Sequence, residues 1–218
     1  MKKKLLAVLV ILVVLVIVVD RVGEYLAERY ITDELESMEG FGDRPQVEID
    51  GFPFLTQLIR NRFSEVEVTV RDIPLQENDG PEVTMDRLDA AFSDVTRTDG
   101  EITATTVRGD GLISYDDLSD YLGIEVVQGE GGTVAVADSP DITATPDVIQ
   151  GPAGFERVVA FDEPVSADGG AVPAEVTRAF AMTIPGVGFP FEVNVRDVRV
   201  AEDGLHLDVR GSDLRYGR

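Results

Sequence analysis

Residues Ser64–Arg71 read SEVEVTVR. Val66, Val68 and Val70 fall on one face of an extended chain, with Glu65, Glu67 and Thr69 on the other. Period-two alternation of this kind marks a strand with one buried and one wet side. Three more stretches repeat it: Gln46–Asp50 (QVEID), Phe191–Arg196 (FEVNVR) and Leu205–Arg210 (LHLDVR). Weaker strand patterns run over 81–91, 102–107, 133–137, 141–148 and 155–161. Ala201-Glu202-Asp203-Gly204 predicts a hairpin turn, Asp-Gly supplying the positive φ. Gly129-Glu130-Gly131-Gly132 predicts another turn. Strands with one apolar and one wet face belong to antiparallel sheets, and the apolar face must be covered by something.

The first cover candidate is the N-terminal helix. Met1-Lys2-Lys3-Lys4 precedes fifteen unbroken apolar residues, Leu5–Val19. A basic start and such a run read as an export signal or membrane anchor, residues 1–19, ahead of a single domain over 20–218. Fifteen helical residues rise about 22 Å, less than the ~30 Å hydrocarbon core. Asp20-Arg21-Val22-Gly23-Glu24 makes a poor cleavage site, which favours an anchor with the lysines on the cytoplasmic side and the body outside. A buried soluble helix is the alternative. Beyond Val19, the sets Val22, Leu26, Tyr30 and Ala27, Ile31, Leu35, Met38 recur at helical spacing, extending the helix to about Ser37 before Glu39-Gly40-Phe41-Gly42 stops it. Ser114-Tyr115-Asp116-Asp117 predicts a capped short helix with Leu118, Tyr121 and Leu122 inward and Gly123 at its end. The expected class is α+β, mostly β: a curved antiparallel sheet wrapped on the long amphipathic helix, with an apolar groove to spare.

Composition narrows the chemistry. The chain has no Cys and one His, so thiol catalysis, disulfides and nitrogen- or sulfur-rich metal sites lack their ligands. Net charge is -22, and all three lysines lie at positions 2–4. A body this acidic repels nucleic acid, so none is expected as partner. His206 alternates onto the polar face of its strand, which predicts a solvated side chain. No Gly-x-Ser-x-Gly accompanies it. Arg108-Gly109-Asp110-Gly111 resembles a calcium loop but carries one carboxylate. No catalytic residue, metal site or cofactor is expected.

Surface and cavity remain. Gly51-Phe52-Pro53-Phe54 and Gly188-Phe189-Pro190-Phe191 are two copies of one apolar elbow. The first continues as Leu55-Thr56-Gln57-Leu58-Ile59-Arg60-Asn61-Arg62-Phe63, a helix candidate with Pro53 in its first turn. Each elbow is either a core-sealing turn or the rim of a cavity. Arg60 and Arg62 are an ordinary solvated pair or, as guanidinium forks, phosphate contacts. The candidate lipid-binding set is Phe52, Phe54, Leu55, Leu58, Ile59, Arg60, Arg62, Phe189 and Phe191.

The segments DRVGEYLAERYI (20–31), VEIDGFPFLTQLIRNRFSEVEVTVRDIPL (47–75), LISYDDLSDYLG (112–123) and PFEVNVRDVRVAEDGLHLDVRGSDL (190–214) resemble the actinobacterial LmeA-like phospholipid-binding family over nearly the whole chain. One departure is Arg60-Asn61-Arg62-Phe63, where a small residue and an aromatic are expected. The resemblance implies an exported, envelope-associated protein that binds phospholipids, inositol lipids among them, at the outer face of the cytoplasmic membrane. It also implies a link to maturation of lipid-anchored mannans, and it carries over no catalytic residue. The alternative is an anchored envelope scaffold without lipid, placed beside a glycosyltransferase. An envelope hydrolase using two carboxylates is the third reading.

Overall fold

The computed structural model describes residues 2–36, 45–75, 82–98, 101–151, 157–184 and 193–216, with side chains described over 13–32 in the first segment and to Arg215 in the last. The second elbow, with Phe189 and Phe191, and the helix stop at 39–42 lie outside these residues.

Six strands form the main sheet. In chain order they are β1 (Gln46–Asp50), β2 (Arg62–Leu75), β3 (Val83–Thr98), β4 (Glu101–Ser114) and, near the C-terminus, β11 (Asn194–Val200) and β12 (Gly204–Tyr216). They lie in the order β1-β2-β3-β4-β12-β11, every neighbouring pair antiparallel. The sheet is open, with β1 and β11 as edges. Register puts the alternating apolar residues in line. Val47, Val68, Ala90, Gly109, Val209 and Val195 form one row across all six strands. Ile49, Val66, Phe92, Val107 and Gly211 form the next. The fold is thus α+β and mostly β, as the alternation predicts.

Two parts of the apolar face are covered. Toward one end of the strands, Val70, Ile73, Met85, Leu88, Ile113, Leu205 and Leu207 pack into the main core. The cover there comes from α3 (Tyr115–Leu122), β5 (Val126–Gln128), β6 (Val134–Val136), β7 (Ser139–Ala144), β8 (Pro146–Gln150), β9 (Arg157–Phe161), β10 (Val165–Ser166) and α4 (Ala174–Phe180). Of these strands, β10-β7-β6-β5 make a four-stranded sheet and β8-β9 a hairpin. Ser114 caps α3 through its Oγ, which accepts the Asp117 N–H, and Gly123 ends it in the left-handed region at φ 70°. At the β1 edge the cover is different. There the long helix α1 (Lys2–Glu36) and the short α2 (Phe54–Arg60) sit over Val47 and Ile49, with Ala27, Ile31, Phe54 and Leu55 between them.

Several sequence expectations need correction. Arg108–Gly111 is no loop: it runs through the middle of β4. Its glycines hide the alternation because they occupy apolar-face positions. The space above Gly111 is taken by Met85, whose Sδ lies 2.8 Å from where a Cβ would be. The elbow helix ends at Arg60, not Phe63, because Asn61 turns into the left-handed region at φ 50° and β2 begins at once. The expected strand over 141–148 is two strands parted at Thr145. α4 is an element beyond those expected: Val176, Ala179 and Phe180 recur at helical spacing and all three are buried.

Candidate functional site

The first elbow is built around one buried carboxylate. Among the described residues Asp20 is the only buried charged side chain, at 1% exposure. It projects from α1 at the end of the apolar run. The first N–H groups of a helix have no partner within it. Pro53, at the N-cap of α2, offers no side-chain cap. Asp20 supplies what is missing: its two oxygens accept the N–H groups of Phe54 at 2.9 Å and Leu55 at 2.8 Å. A carboxylate at a helix N-terminus also meets the positive end of the helix dipole.

Three further contacts fix the elbow. α1 passes close to α2 at Gly23: a Cβ there would make ordinary contact, 3.4 Å from Leu55 Cδ2 and 3.6 Å from the Phe54 ring. Glu28 accepts the Ile49 N–H at 3.1 Å, so α1 also occupies the free edge of β1. Gln57 bridges the two ends of the elbow, donating to the Asp50 carbonyl at 3.1 Å and accepting the Ser64 N–H at 2.8 Å.

The scaffold divides the candidate residues sharply. Phe54 is fully buried against Val47 and Ile49 and stacks on Phe63 at 6.2 Å. Leu55 is half-buried. Phe52, Leu58 and Ile59 point outward, with Ile59 82% exposed. The guanidinium of Arg21 lies 5.5 Å from the centre of the Phe52 ring, a cation–π contact. Arg60 is exposed on the last turn of α2. Arg62 is held by Asp94 at 2.9 Å and is less free to meet a phosphate. Asp20, Arg21 and Glu28 were not foreseen. The one hint was a lone acidic residue closing an apolar run.

At the margins of these packed parts the apolar face carries a set of half-buried side chains. Phe63, Val66 and Val68 on one side and Ala90, Phe92, Val95 and Val193 on the other are only partly buried. They lie next to the buried trio Ala104, Val107 and Leu214. Ala90 and Gly109 are neighbours in register, so the middle of the face is lined by the smallest side chains.

The opposite face is charged, and register orders it. Thr69, Asp89, Asp110, Asp208 and Asp197 stand in one line across five strands. Like charges opposite one another are unfavourable. Side chains of the adjoining rows relieve them: Arg87 pairs with Asp89 at 2.8 Å, Arg199 with Asp110 at 3.3 Å and Arg210 with Asp208 at 2.8 Å. His206 belongs to this ladder and is not simply solvated. Its Nδ1 lies 2.6 Å from Asp110 and its Nε2 3.0 Å from Asp203. Burial disfavours its charged form, but the two carboxylates outweigh burial and raise its pKa. With both ring nitrogens held by carboxylates, the imidazole has no free nitrogen to serve as a base.

Two open concavities lie beside charged side chains. One, about 350 Å³, is lined by Glu24, Glu28, Glu48 and Glu67 with Gln46, Val47 and Thr69. Desolvation, and then the neighbouring Asp50 and Glu48, push the carboxyl of the exposed Glu67 up. The other, about 400 Å³, lies over the aspartate line beside Arg108, Arg199 and Arg210. Among the described residues no group of acidic or histidine side chains is placed to hold a metal ion. Among the same residues no helix is long and apolar enough to cross a membrane.

An open six-stranded antiparallel sheet, clasped at one edge by a helix that continues an apolar N-terminal run, defines a mostly β protein built around apolar surface. The sequence model of the LmeA-like phospholipid-binding family matches residues 18–210, and the chain belongs to that family. The matched span takes in Asp20, the elbow and all six strands of the main sheet as far as Arg210 of β12. No curated protein and no solved structure matches the chain.

Proposed function

We propose that this protein is an exported phospholipid-binding protein of the cell envelope, which holds acyl chains against the apolar face of its main sheet and supports lipoglycan maturation. The observation that carries the reading is a set of half-buried apolar side chains on one face of the main sheet. Phe63, Val66, Val68, Ala90, Phe92 and Val95 are partly buried there, beside small Ala90 and Gly109. Each methylene that settles on such a surface contributes about 0.8 kcal/mol, so one acyl chain repays a modest groove. Arg60, at the end of α2, would meet the phosphate, and an inositol headgroup would remain in water. The domain over 20–218 works as one unit outside the membrane, and residues 1–19 deliver it there and either anchor it or are removed.

The test is the lipid content of protein that begins at Asp20, purified without detergent. Mass spectrometry is expected to find co-purifying two-chain phospholipid, with inositol lipids taken up from mixed vesicles. One observation favours the scaffold instead: the concavity beside α1 is lined mainly by carboxylates, those of Glu24, Glu28, Glu48 and Glu67. Protein that carries no phospholipid and takes none from vesicles would establish that second reading. Release of sugar or phosphate from envelope glycolipids would point to the hydrolase.

A further inference from the structure

The helix α1 carries two stripes past Val19, and only one of them is used. Asp20, Gly23, Ala27, Glu28 and Ile31 face β1 and α2. Val22, Tyr25, Leu26 and Tyr30 face away from the domain, each more than half exposed. The outward stripe is continuous with Val13–Val19, whose side chains are all exposed. The clasp at Asp20 sets α2 beside this same stretch of helix. Phe52, Leu58 and Ile59 therefore add a second exposed apolar group at the level where the apolar run ends.

We infer that this surface is a membrane-immersed collar, in which α2 and the 20–26 stretch of α1 sink into the outer leaflet of the bilayer that holds the apolar run. The inference rests on the envelope-anchored reading above and adds where the domain sits. Length argues for it. Leu5–Val19 rises about 22 Å and falls short of a hydrocarbon core of ~30 Å. Continuing along the outward stripe to Leu26 brings the apolar length to about 33 Å, which closes the gap. The charges on these turns are already provided for. Asp20 is buried and takes two N–H bonds. Arg21 pairs with Glu24 at 2.7 Å and lies over Phe52. An unpaired charge at that depth would be costly, whereas paired and amphipathic side chains reach the headgroups. Tyr25 and Tyr30 then stand at the interface, where tyrosine is favoured. The bilayer is the occupant, rather than a second copy of the chain, because the collar continues a segment that is itself apolar on all sides, and because Arg60 at its rim suits anionic headgroups. The collar also brings the lipid leaflet to the edge strand β1, beside the partly buried Phe63, Val66 and Val68.

The chain has no Trp, so single tryptophans report cleanly. Full-length Ile59→Trp and the control Val165→Trp, on the separate four-stranded sheet, would be reconstituted into phosphatidylcholine–phosphatidylglycerol vesicles with bromines on the acyl chains. Both positions are exposed, so neither change threatens folding, which circular dichroism checks. The collar predicts blue-shifted, bromine-quenched emission for Ile59→Trp and neither effect for Val165→Trp. Ile59→Trp emission that is untouched by bromine and open to aqueous acrylamide, as for the control, overturns it. The two readings separate: phospholipid retained after removal of vesicles with Ile59→Trp in water sinks the collar alone. Quenched Ile59→Trp in a protein that retains no phospholipid upholds the collar and sinks lipid holding.

Discussion

Asp20 and Phe54 stand 34 positions apart, yet the carboxylate of the first accepts the backbone N–H of the second at 2.9 Å. With the matching bond to Leu55, this one side chain starts α2, fixes the elbow on α1 and brings the apolar run beside the sheet. Hydrogen bonds to a charged group are worth about 1.5–3 kcal/mol each way they are lost. Asp20→Ala is therefore expected to destabilise the domain by about 2 kcal/mol or more. Urea unfolding followed by circular dichroism measures the loss. Hydrogen exchange at the Phe54 and Leu55 amides should accelerate more than at the core strands.

The elbow's aromatic and aliphatic residues separate into anchors and contacts. Phe54→Ala removes a fully buried ring and is expected to cost about 3–5 kcal/mol. Ile59→Ala removes an exposed side chain and is expected to change stability by no more than about 0.5 kcal/mol. Vesicle flotation should reverse the order, with Ile59→Ala folded but weakly bound. Equal stability losses in the two variants would show that the elbow is not divided this way.

The two arginines are predicted to differ. Arg62 is engaged by Asp94, whereas Arg60 is exposed at the end of α2. A basic residue near an anionic bilayer contributes about 1 kcal/mol, roughly fivefold in affinity. Arg60→Glu should therefore weaken binding to anionic vesicles by roughly tenfold or more, and low salt should enlarge the difference from the parent. Arg62→Glu should do less. Unchanged binding in the double variant removes both from the lipid site.

His206 gives the charged face a pH signature. Its folded pKa lies above the ordinary value of 6.5, raised by Asp110 and Asp203 against the opposing effect of burial. A raised folded value means that the folded protein holds this proton more tightly than the unfolded chain. The stabilisation is then fully present below about pH 6.5 and is lost as pH rises through the folded value. Urea midpoints should fall across that window in the parent and not in His206→Gln.

Pattern alone revealed what depends on neighbours in the chain. The alternation at Gln46–Asp50 matches β1 residue for residue, and Ser64–Arg71 lies inside β2. The Ser114 cap and the Gly123 stop are local chemistry and were readable. β4 was cut short because glycine carries no polarity, so Gly109 and Gly111 broke an alternation that the sheet preserves. Phe52 and Phe54 look alike around Pro53. Only the approach of α1, fixed by Asp20, decides that one is buried and the other exposed. Asp20 was read as part of a poor cleavage site because its partners lie 34 and 35 residues away. His206 was placed on the correct face, but its carboxylates come from another strand and a turn.

The claim on which the account turns is that acyl chains lie on the partly buried stretch of the main sheet. Phe92→Trp, in a chain with no other tryptophan, places a reporter in that row. The protein would be loaded from vesicles of acyl-brominated phosphatidylinositol and then separated from them. Acyl chains seated on that row would quench the reporter strongly, and the quenching would persist in the vesicle-free protein. Phospholipid retained by the protein with Phe92→Trp emission unquenched would contradict it.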